Sequence, residues 1–310
     1  MRIGRTNARR HPSDQWRSSP MTASSPTVAF VGVGAIGLPM ASQLAAAGVR
    51  VIAVDPFAVA RERAAEAGMQ PAAEIAEAAE ATVVIVMVAT PAQLDTLISD
   101  ALAAGIVPGT TWVIMSTVGP EAVVAAGDRI SAAGGHVVDA PVTGGVARAR
   151  TGTLTIFAAG GTEALAATAP LLERLGTVRV VGAEIGRGQA IKVVNQHLCA
   201  VHIVAAAEAL ALAERLGLDP AEVLPLLESG AAGSWMLADR GPRMLQGTDA
   251  EVTSQITIFV KDSGLVADAA RAADAETPLL DAARERYLAA ADLGLGTRDD
   301  SRVIETYSRP

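Results

Sequence analysis

Cysteine is almost missing from this chain. Cys199 stands alone among 310 residues, which excludes an internal disulfide and fits a reducing, cytoplasmic setting. Aromatic residues are scarce as well, at 3% against 50% hydrophobic residues, so the core has to be built from Ala, Val, Leu and Ile. Basic charge is in deficit, with 25 Lys and Arg against 33 Asp and Glu and a net charge of −8. That balance argues against nucleic acid or an anionic membrane as partner. The four histidines, His11, His136, His197 and His202, show no ligand spacing. His197 and His202 share one helical stretch, but their five-residue separation points them apart, and no metal is expected. No run reaches about 18 uninterrupted apolar residues, so no transmembrane helix is expected.

Residues 1–25 lack hydrophobic periodicity. They hold five arginines and a single acid, Asp14, with no apolar stretch of the kind a secretory signal needs. The reading is a disordered basic tail, with Met21 as the natural beginning.

Beyond the tail, Thr27 to Val33 is a short β-branched apolar run, expected as a buried parallel strand. It leads into Gly32-Val33-Gly34-Ala35-Ile36-Gly37, then a helical stretch from Leu38 to Ala47 and a second strand from Arg50 to Asp55. Strand, glycine loop, helix and strand in this order form a dinucleotide-binding unit. Gly32 makes the turn, Gly34 admits the pyrophosphate and Gly37 lets helix and strand pack closely. The pyrophosphate is expected on the free N–H groups at the helix start. Asp55 ends the second strand, where a carboxylate accepts from the ribose hydroxyls and repels a 2′-phosphate. NAD is therefore favoured over NADP, although Arg61 lies close enough in sequence to soften the preference.

Further strands are expected at Thr82–Val88, Thr111–Thr117, His136–Asp139 and Leu154–Ala159, separated by Ala-rich helices. This is the pattern of a doubly wound parallel sheet, with ligands outside the carboxyl ends of its strands. Val88, Ala89, Gln93, Ser116 and Thr117 fall on that edge, towards the nicotinamide. Thr143-Gly144-Gly145 sets a hydroxyl beside two glycines and suits an anion such as a substrate carboxylate; an ordinary Gly-Gly turn reads the same way.

After Gly188 the strand signals nearly vanish. Helices are expected from Gln189 to Leu216, Pro220 to Glu228, Ile256 to Ala273 and Pro278 to Leu293. The fold class is α/β, a Rossmann domain over 26–188 followed by an all-helical domain over 189–310. One long helix joins them, and the cleft between the domains is the expected ligand site. That helix is mostly apolar, yet it carries Lys192 and Gln196 four residues apart on one face, with Asn195 beside them. Lys192 is the candidate general base for removing a hydroxyl proton: burial disfavours its ammonium form, while a bound carboxylate favours it.

Together these pieces resemble the β-hydroxyacid dehydrogenase family, which includes 3-hydroxyisobutyrate and 6-phosphogluconate dehydrogenases. The resemblance rests on Gly32-x-Gly34-x-x-Gly37-x-Pro39-Met40, Asp139-Ala-Pro-Val-Thr-Gly-Gly145, Gly186-x-Gly188-x-x-x-Lys192-x-x-Asn195-Gln196 and Phe259-x-Lys261-Asp262. It implies that Lys192 is catalytic, that Thr143, Gly144 and Gly145 hold the substrate carboxylate, and that Gln196 stands beside it with Asn195. It also implies that Lys261 lines the cofactor end, that Asp262 supports the cleft, and that the protein is a homodimer or homotetramer. Gln196–Glu208, Gly233-Ser-Trp-Met236 and Gly296–Ile304 are similar to the branch acting on L-threonate-type 2-hydroxy acids. Thr143 replaces the family's usual Ser, and Asn195-Gln196 departs from the usual pairs at that place. A 3-hydroxy acid substrate such as 3-hydroxyisobutyrate is the alternative, and a non-catalytic nicotinamide-binding protein is the alternative of a different class. Asp299-Asp300-Ser301 is expected either to pack against a neighbouring subunit's cleft or to form a solvated polar tail.

Overall fold

Runs of four buried residues make the centre of the first unit. Val-Ala-Phe-Val, Val-Ile-Ala-Val and Val-Val-Ile-Val form β1 (Val28–Val31), β2 (Val51–Val54) and β4 (Val83–Val86). Burial on both faces accounts for their lack of polar alternation. The computed structural model describes residues 26–247 and 250–307, so segment 1–25, the tail expectation attached to it and His11 lie outside the described residues.

Helix α1 (Gly37–Ala46) follows β1, and α2 (Ala58–Glu66) with the short β3 (Gln70–Ala72) follows β2. After β4 come α3 (Pro91–Ala103), β5 (Thr111–Ile114), α4 (Pro120–Ala132) and β6 (His136–Asp139). These six strands pair in parallel in the order β3-β2-β1-β4-β5-β6, the doubly wound arrangement of a dinucleotide-binding sheet.

Beyond β6 the sheet departs from the parallel order expected from the sequence. β7 (Val142–Thr143), α5 (Gly145–Arg150) and β8 (Leu154–Gly160) follow β6, and β8 runs antiparallel to both β6 and β7. The reason is chain length. Ten residues, 144–153, separate β7 from β8, with the short α5 among them, whereas a parallel return needs a crossover of a dozen or more residues. Once α6 (Thr162–Leu175) supplies such a crossover, β9 (Gly176–Gly182) pairs with β8 in parallel. β7 and β9 were not expected: β7 spans two residues, and β9 is largely half-exposed.

Among the described residues, contacts divide the chain into two units, one within 26–116 and 121–189, the other within 117–120 and 190–307. The second is helical. It contains most of α7 (Arg187–Arg215), then α8 (Pro220–Glu228), α9 (Trp235–Met244), α10 (Ile256–Ala272) and α11 (Pro278–Ala290). α8 starts where Asp219 Oδ1 accepts from Ala221 N with Pro220 as first helical residue, both start signals read from sequence. α9 is capped by Ser234, whose Oγ accepts from Leu237 N; Gly241 and Pro242 inside it hid it from periodicity. The core of this unit gathers Ile203, Ala207 and Leu210 of α7 with Leu224, Leu237, Phe259, Leu280 and Tyr287. Phe259 and Tyr287 stack with centroids 5.1 Å apart, and the Tyr287 hydroxyl donates to Ala200 O at 3.0 Å. Such a stacked pair contributes about 0.5–1.5 kcal/mol beyond its area, a sizeable anchor in a chain this poor in aromatics.

Among the described residues α7 alone has the length and composition to cross a membrane. Its buried Gln189, Lys192 and Gln196 and its place in the helical core are those of a core helix.

Candidate active site

The glycine loop matches its expected division of labour. Gly32 has φ +89°, and a Cβ there would lie 2.5 Å from Met87 O, so only glycine fits this turn. A Cβ on Gly37 would run into Gly32 O, which is the close packing of α1 on the loop. At Gly34 a Cβ would meet no protein atom within 4 Å, leaving the space a dinucleotide's pyrophosphate would take. The loop therefore fits the cofactor it implies, with Val33, Ala35 and Ile36 completing the turn into α1.

Asp55 is buried, and both of its carboxylate oxygens already accept from the backbone. Oδ2 takes Val33 N and Oδ1 takes Phe57 N, each at 3.0 Å. The acid that was expected to read the ribose thus also braces the glycine loop, and each oxygen keeps a second lone pair for a ribose hydroxyl. Arg61 Nη1 donates to Asp55 O and Pro56 O, both at 2.8 Å, so this guanidinium is tied to the end of β2.

Val88 and Ala89 follow β4 as expected. Gln93 turns out to be structural at its oxygen: Oε1 accepts from Ala89 N and Thr90 N while Gln93 N donates to Thr90 Oγ1. This is a reciprocal capping box at the start of α3. Ser116 is buried, its hydroxyl donating to Val86 O at 3.3 Å. Thr143 ends β7 opposite Thr155 of β8. Gly144 has φ +129° and Gly145 φ +66°, and a Cβ at Gly145 would meet nothing within 4 Å, an open N–H corner at the start of α5.

The residue that sequence reasoning left without a role is Asp139. Fully buried at the end of β6, it accepts from Gly186 N at 3.0 Å and Gln189 N at 3.1 Å on Oδ2, and from Gln189 Nε2 at 3.3 Å on Oδ1. Gln189 Nε2 also donates to Ser116 O at 2.8 Å. Burial raises the Asp139 carboxyl to about 6, against the lowering effect of these hydrogen bonds. A Cβ on Gly188 would lie 2.5 Å from Phe157 O and 3.0 Å from Asp139 Cγ, so the glycines of Gly186-Arg187-Gly188 let the first turn of α7 sit on the strand ends. The signal was present in sequence as an acid closing an apolar strand.

In the helical unit the expected residues converge. Lys192 is 6% exposed, Gln196 8% and Asp262 4%. Gln196 Nε2 donates to Asp262 Oδ2 at 2.6 Å, and Gln196 Oε1 accepts from Asn195 Nδ2 at 2.9 Å. Asn195 Nδ2 also reaches Cys199 Sγ at 3.3 Å. Lys261 Nζ lies 2.9 Å from Asp262 Oδ1 and donates to Thr117 O at 3.0 Å. Lys192 itself makes no hydrogen bond or ion pair among the described residues. Burial lowers its ammonium pKa and the Lys261 charge adds to this, while Asp262 and Cys199 act the other way.

Asp299, Asp300 and Ser301 are buried in their own chain and form neither a solvated tail nor an arm for a neighbour's cleft. Asp300 clamps Arg240 through Nε at 3.1 Å and Nη2 at 2.9 Å. Asp299 takes Arg243 Nε at 3.1 Å and Thr253 N at 2.9 Å. Ionised acids this deeply buried need such partners, and α9, which supplies the arginines, had not been foreseen.

Two family models match. The NAD binding domain of 6-phosphogluconate dehydrogenase covers residues 27–186, and NAD-binding of NADP-dependent 3-hydroxyisobutyrate dehydrogenase covers residues 186–307. The L-threonate dehydrogenase of Cupriavidus necator is 37% identical over 91% of this chain and 96% of its own length. That of Escherichia coli is 35% identical over 93% and 96%. Among solved structures, 3-hydroxyisobutyrate dehydrogenase from Salmonella typhimurium superposes with a TM-score of 0.84 at 31% identity, covering 91% of this chain and 100% of that one. The Mycobacterium tuberculosis 3-hydroxyisobutyrate dehydrogenase with L-serine gives 0.81 at 32% identity, covering 92% and 100%. The chain belongs to the β-hydroxyacid dehydrogenase family.

Proposed function

We propose that this hydroxy acid dehydrogenase oxidises the alcohol of an L-threonate-type 2-hydroxy acid, with Lys192 as the group that takes the hydroxyl proton. The observation that carries the reading is a buried lysine without a hydrogen-bond or ion-pair partner among the described residues. Burial favours the neutral amine, which is the form able to accept a proton, and none of the described residues competes for its lone pair. Asp262 does not neutralise Lys192 by direct contact, because its two oxygens are held by Gln196 and Lys261.

Thr143, Gly144 and Gly145 are assigned to the substrate carboxylate, which a hydroxyl and N–H groups would hold. Gln196 and Asn195 orient the substrate, and Gln196 is itself held in place by Asp262. Gly32 to Gly37 and Asp55 are assigned to the dinucleotide, with Val88, Ala89, Gln93, Thr117 and Lys261 towards the nicotinamide. A bound nicotinamide supplies the hydride acceptor. NAD is preferred to NADP because Asp55 sets a carboxylate at the end of β2, where a 2′-phosphate would be repelled.

The threonate-type substrate is supported by the names of the curated relatives. A 3-hydroxy acid is the second reading, supported by the neighbour described with L-serine. The protein is read as a cytoplasmic homodimer or homotetramer. Val194, Leu198 and Leu212 lie exposed along α7 with Leu216 just past its end, an apolar stripe that a second copy would cover.

The test is Lys192→Ala. NAD binding should stay nearly as in wild type while kcat falls by about 10²–10⁴, measured as NADH formation with a panel of 2- and 3-hydroxy acids. Near-wild-type turnover would remove Lys192 from the chemistry, and light scattering on the wild type decides the oligomer.

A further inference from the structure

The short helix α5 carries two exposed arginines, Arg148 and Arg150. They stand two positions apart, so their side chains leave on different sides of the helix. Arg150 closes the helix, and its carbonyl accepts from Gln43 Nε2 at 2.6 Å. Arg148 runs the other way. A Cβ on Gly144 would lie 2.6 Å from Arg148 Cδ and 3.2 Å from its Cγ, so the stem of Arg148 crosses Gly144, the residue before α5. Helical side chains lean in this direction. A basic residue in a last turn ordinarily serves the last carbonyls, and Arg148 is turned away from them.

Both ends of this arrangement are held. Arg148 O accepts from Thr153 N at 3.0 Å, which ties its backbone to the approach of β8. Gly144 has φ +129°, and a side chain there would displace the stem as well as strain the backbone. Nε is bonded to the Cδ that packs on Gly144, so the guanidinium begins one bond from the Thr143-Gly144-Gly145 corner. The guanidinium makes no hydrogen bond or ion pair among the described residues, and its donors are unspent.

What it takes follows from charge. The groups assigned above to the substrate carboxylate are a hydroxyl and backbone N–H groups, with two side-chain amides beside them, all of them neutral. Lys192 is read there as a neutral amine. A carboxylate at the corner would otherwise lack a full opposite charge, in a chain whose net charge is −8. A guanidinium matches a carboxylate in both charge and geometry. We propose that Arg148 is a further substrate-binding residue that pairs with the substrate carboxylate at the Thr143–Gly145 corner, and so selects hydroxy acids over uncharged alcohols of the same shape. The inference rests on the reading of that corner as the carboxylate site.

The experiment measures kcat and KM for wild type, Arg148→Gln, Arg148→Lys, Arg150→Gln and Thr143→Val, at low and at high salt. The substrates are L-threonate, 3-hydroxyisobutyrate and the uncharged methyl ester of the latter. R148Q should raise KM for the acids by about tenfold, the low end for a charge-assisted hydrogen bond because the guanidinium is exposed. Its kcat and its KM for the ester should hardly move. R148K, a point charge without the fork, should recover part of the loss, and R150Q should keep the wild-type KM. Added salt should raise the acid KM of wild type but not that of R148Q. A wild-type acid KM in R148Q beside a raised one in T143V overturns the proposal and leaves the carboxylate corner standing. Equal increases in R148Q and R150Q overturn it as an effect of surface charge, and a loss confined to NAD affinity overturns it in favour of the cofactor's phosphates. Wild-type KM in both R148Q and T143V takes the carboxylate away from this corner and refutes both assignments. A wild type inert towards every substrate tried defeats the dehydrogenase reading itself, before any variant is compared.

Discussion

Asp139 and Gln189, fifty residues apart, meet through both backbone and side chain: Asp139 Oδ2 accepts from Gln189 N and Oδ1 from Gln189 Nε2. The contact fastens the first turn of α7 to the end of β6 and gives Asp139 a dependence on pH. Its carboxyl is raised from 3.8 to about 6, so between those values the folded chain holds a proton that the unfolded chain has released. Stability from this group is present below pH 3.8 and declines as pH rises through 6, by on the order of 3 kcal/mol. Asp139→Asn should remove that slope, so that its stability relative to wild type grows from pH 4 to pH 7. Asp139→Ala strands three donors and should lose roughly 3 kcal/mol or more at pH 7. Urea unfolding at the two pH values checks both; equal slopes for wild type and D139N would refute the account.

Asp55 was read from sequence only as a ribose contact, but it also holds Val33 N and Phe57 N. Asp55→Ala should therefore weaken NAD binding and lower Tm together, since two backbone donors lose their acceptor. Asp55→Asn keeps one oxygen and removes the charge. It should raise the affinity for NADP relative to NAD with a smaller change in Tm. Titration of both cofactors against D55N, alongside melting curves, separates the two roles; an unchanged cofactor ratio would leave Asp55 only the structural one.

Much of the first unit was legible in advance because its signals are local. A buried parallel strand reads as an apolar run, and the glycine loop reads as a turn because Gly32 and Gly37 each answer a separate steric demand. The helical unit was legible in α8, whose start Asp219 and Pro220 announce. What escaped was set by distance or brevity. β7 spans two residues, and its antiparallel neighbour follows from the short 144–153 connection to β8, not from any propensity. The Arg240–Asp300 clamp joins positions sixty residues apart, and no spacing rule connects them. Lys192, Gln196 and Asp262 were named together from their motifs, but which oxygen of Asp262 holds which neighbour is a matter of packing.

The glycine loop separates folding from binding at adjacent positions. Gly34→Ala adds a methyl where no protein atom lies within 4 Å, so Tm should stay within about 1–2 °C of wild type, as for a surface substitution. The same methyl fills space assigned to the pyrophosphate, and NAD affinity should fall tenfold or more. Gly37→Ala drives a methyl into Gly32 O and should destabilise the fold by about 1–3 kcal/mol as overpacking does. Calorimetric titration with NAD and melting of both variants test the pair. A G34A protein that binds NAD like wild type would move the pyrophosphate off this loop.

Lys192 couples activity to stability with opposite signs. Burial lowers its pKa, so in the window between the folded and unfolded values the unfolded chain binds one more proton, and stability rises with pH across that window. Below it, the buried ammonium costs stability in full. Lys192→Met, similar in length and uncharged, should therefore raise Tm by a few degrees near neutral pH, and this gain should shrink as pH approaches the ordinary lysine range. The same neutral amine is what oxidation requires. In wild type kcat/KM for the hydroxy acid should rise with pH along a limb whose midpoint lies below that of an ordinary lysine, and K192M should lack the limb along with most of its turnover. A variant both inactive and less stable than wild type at pH 7 would mean that Lys192 holds the helical unit together, and the proton would then need another acceptor.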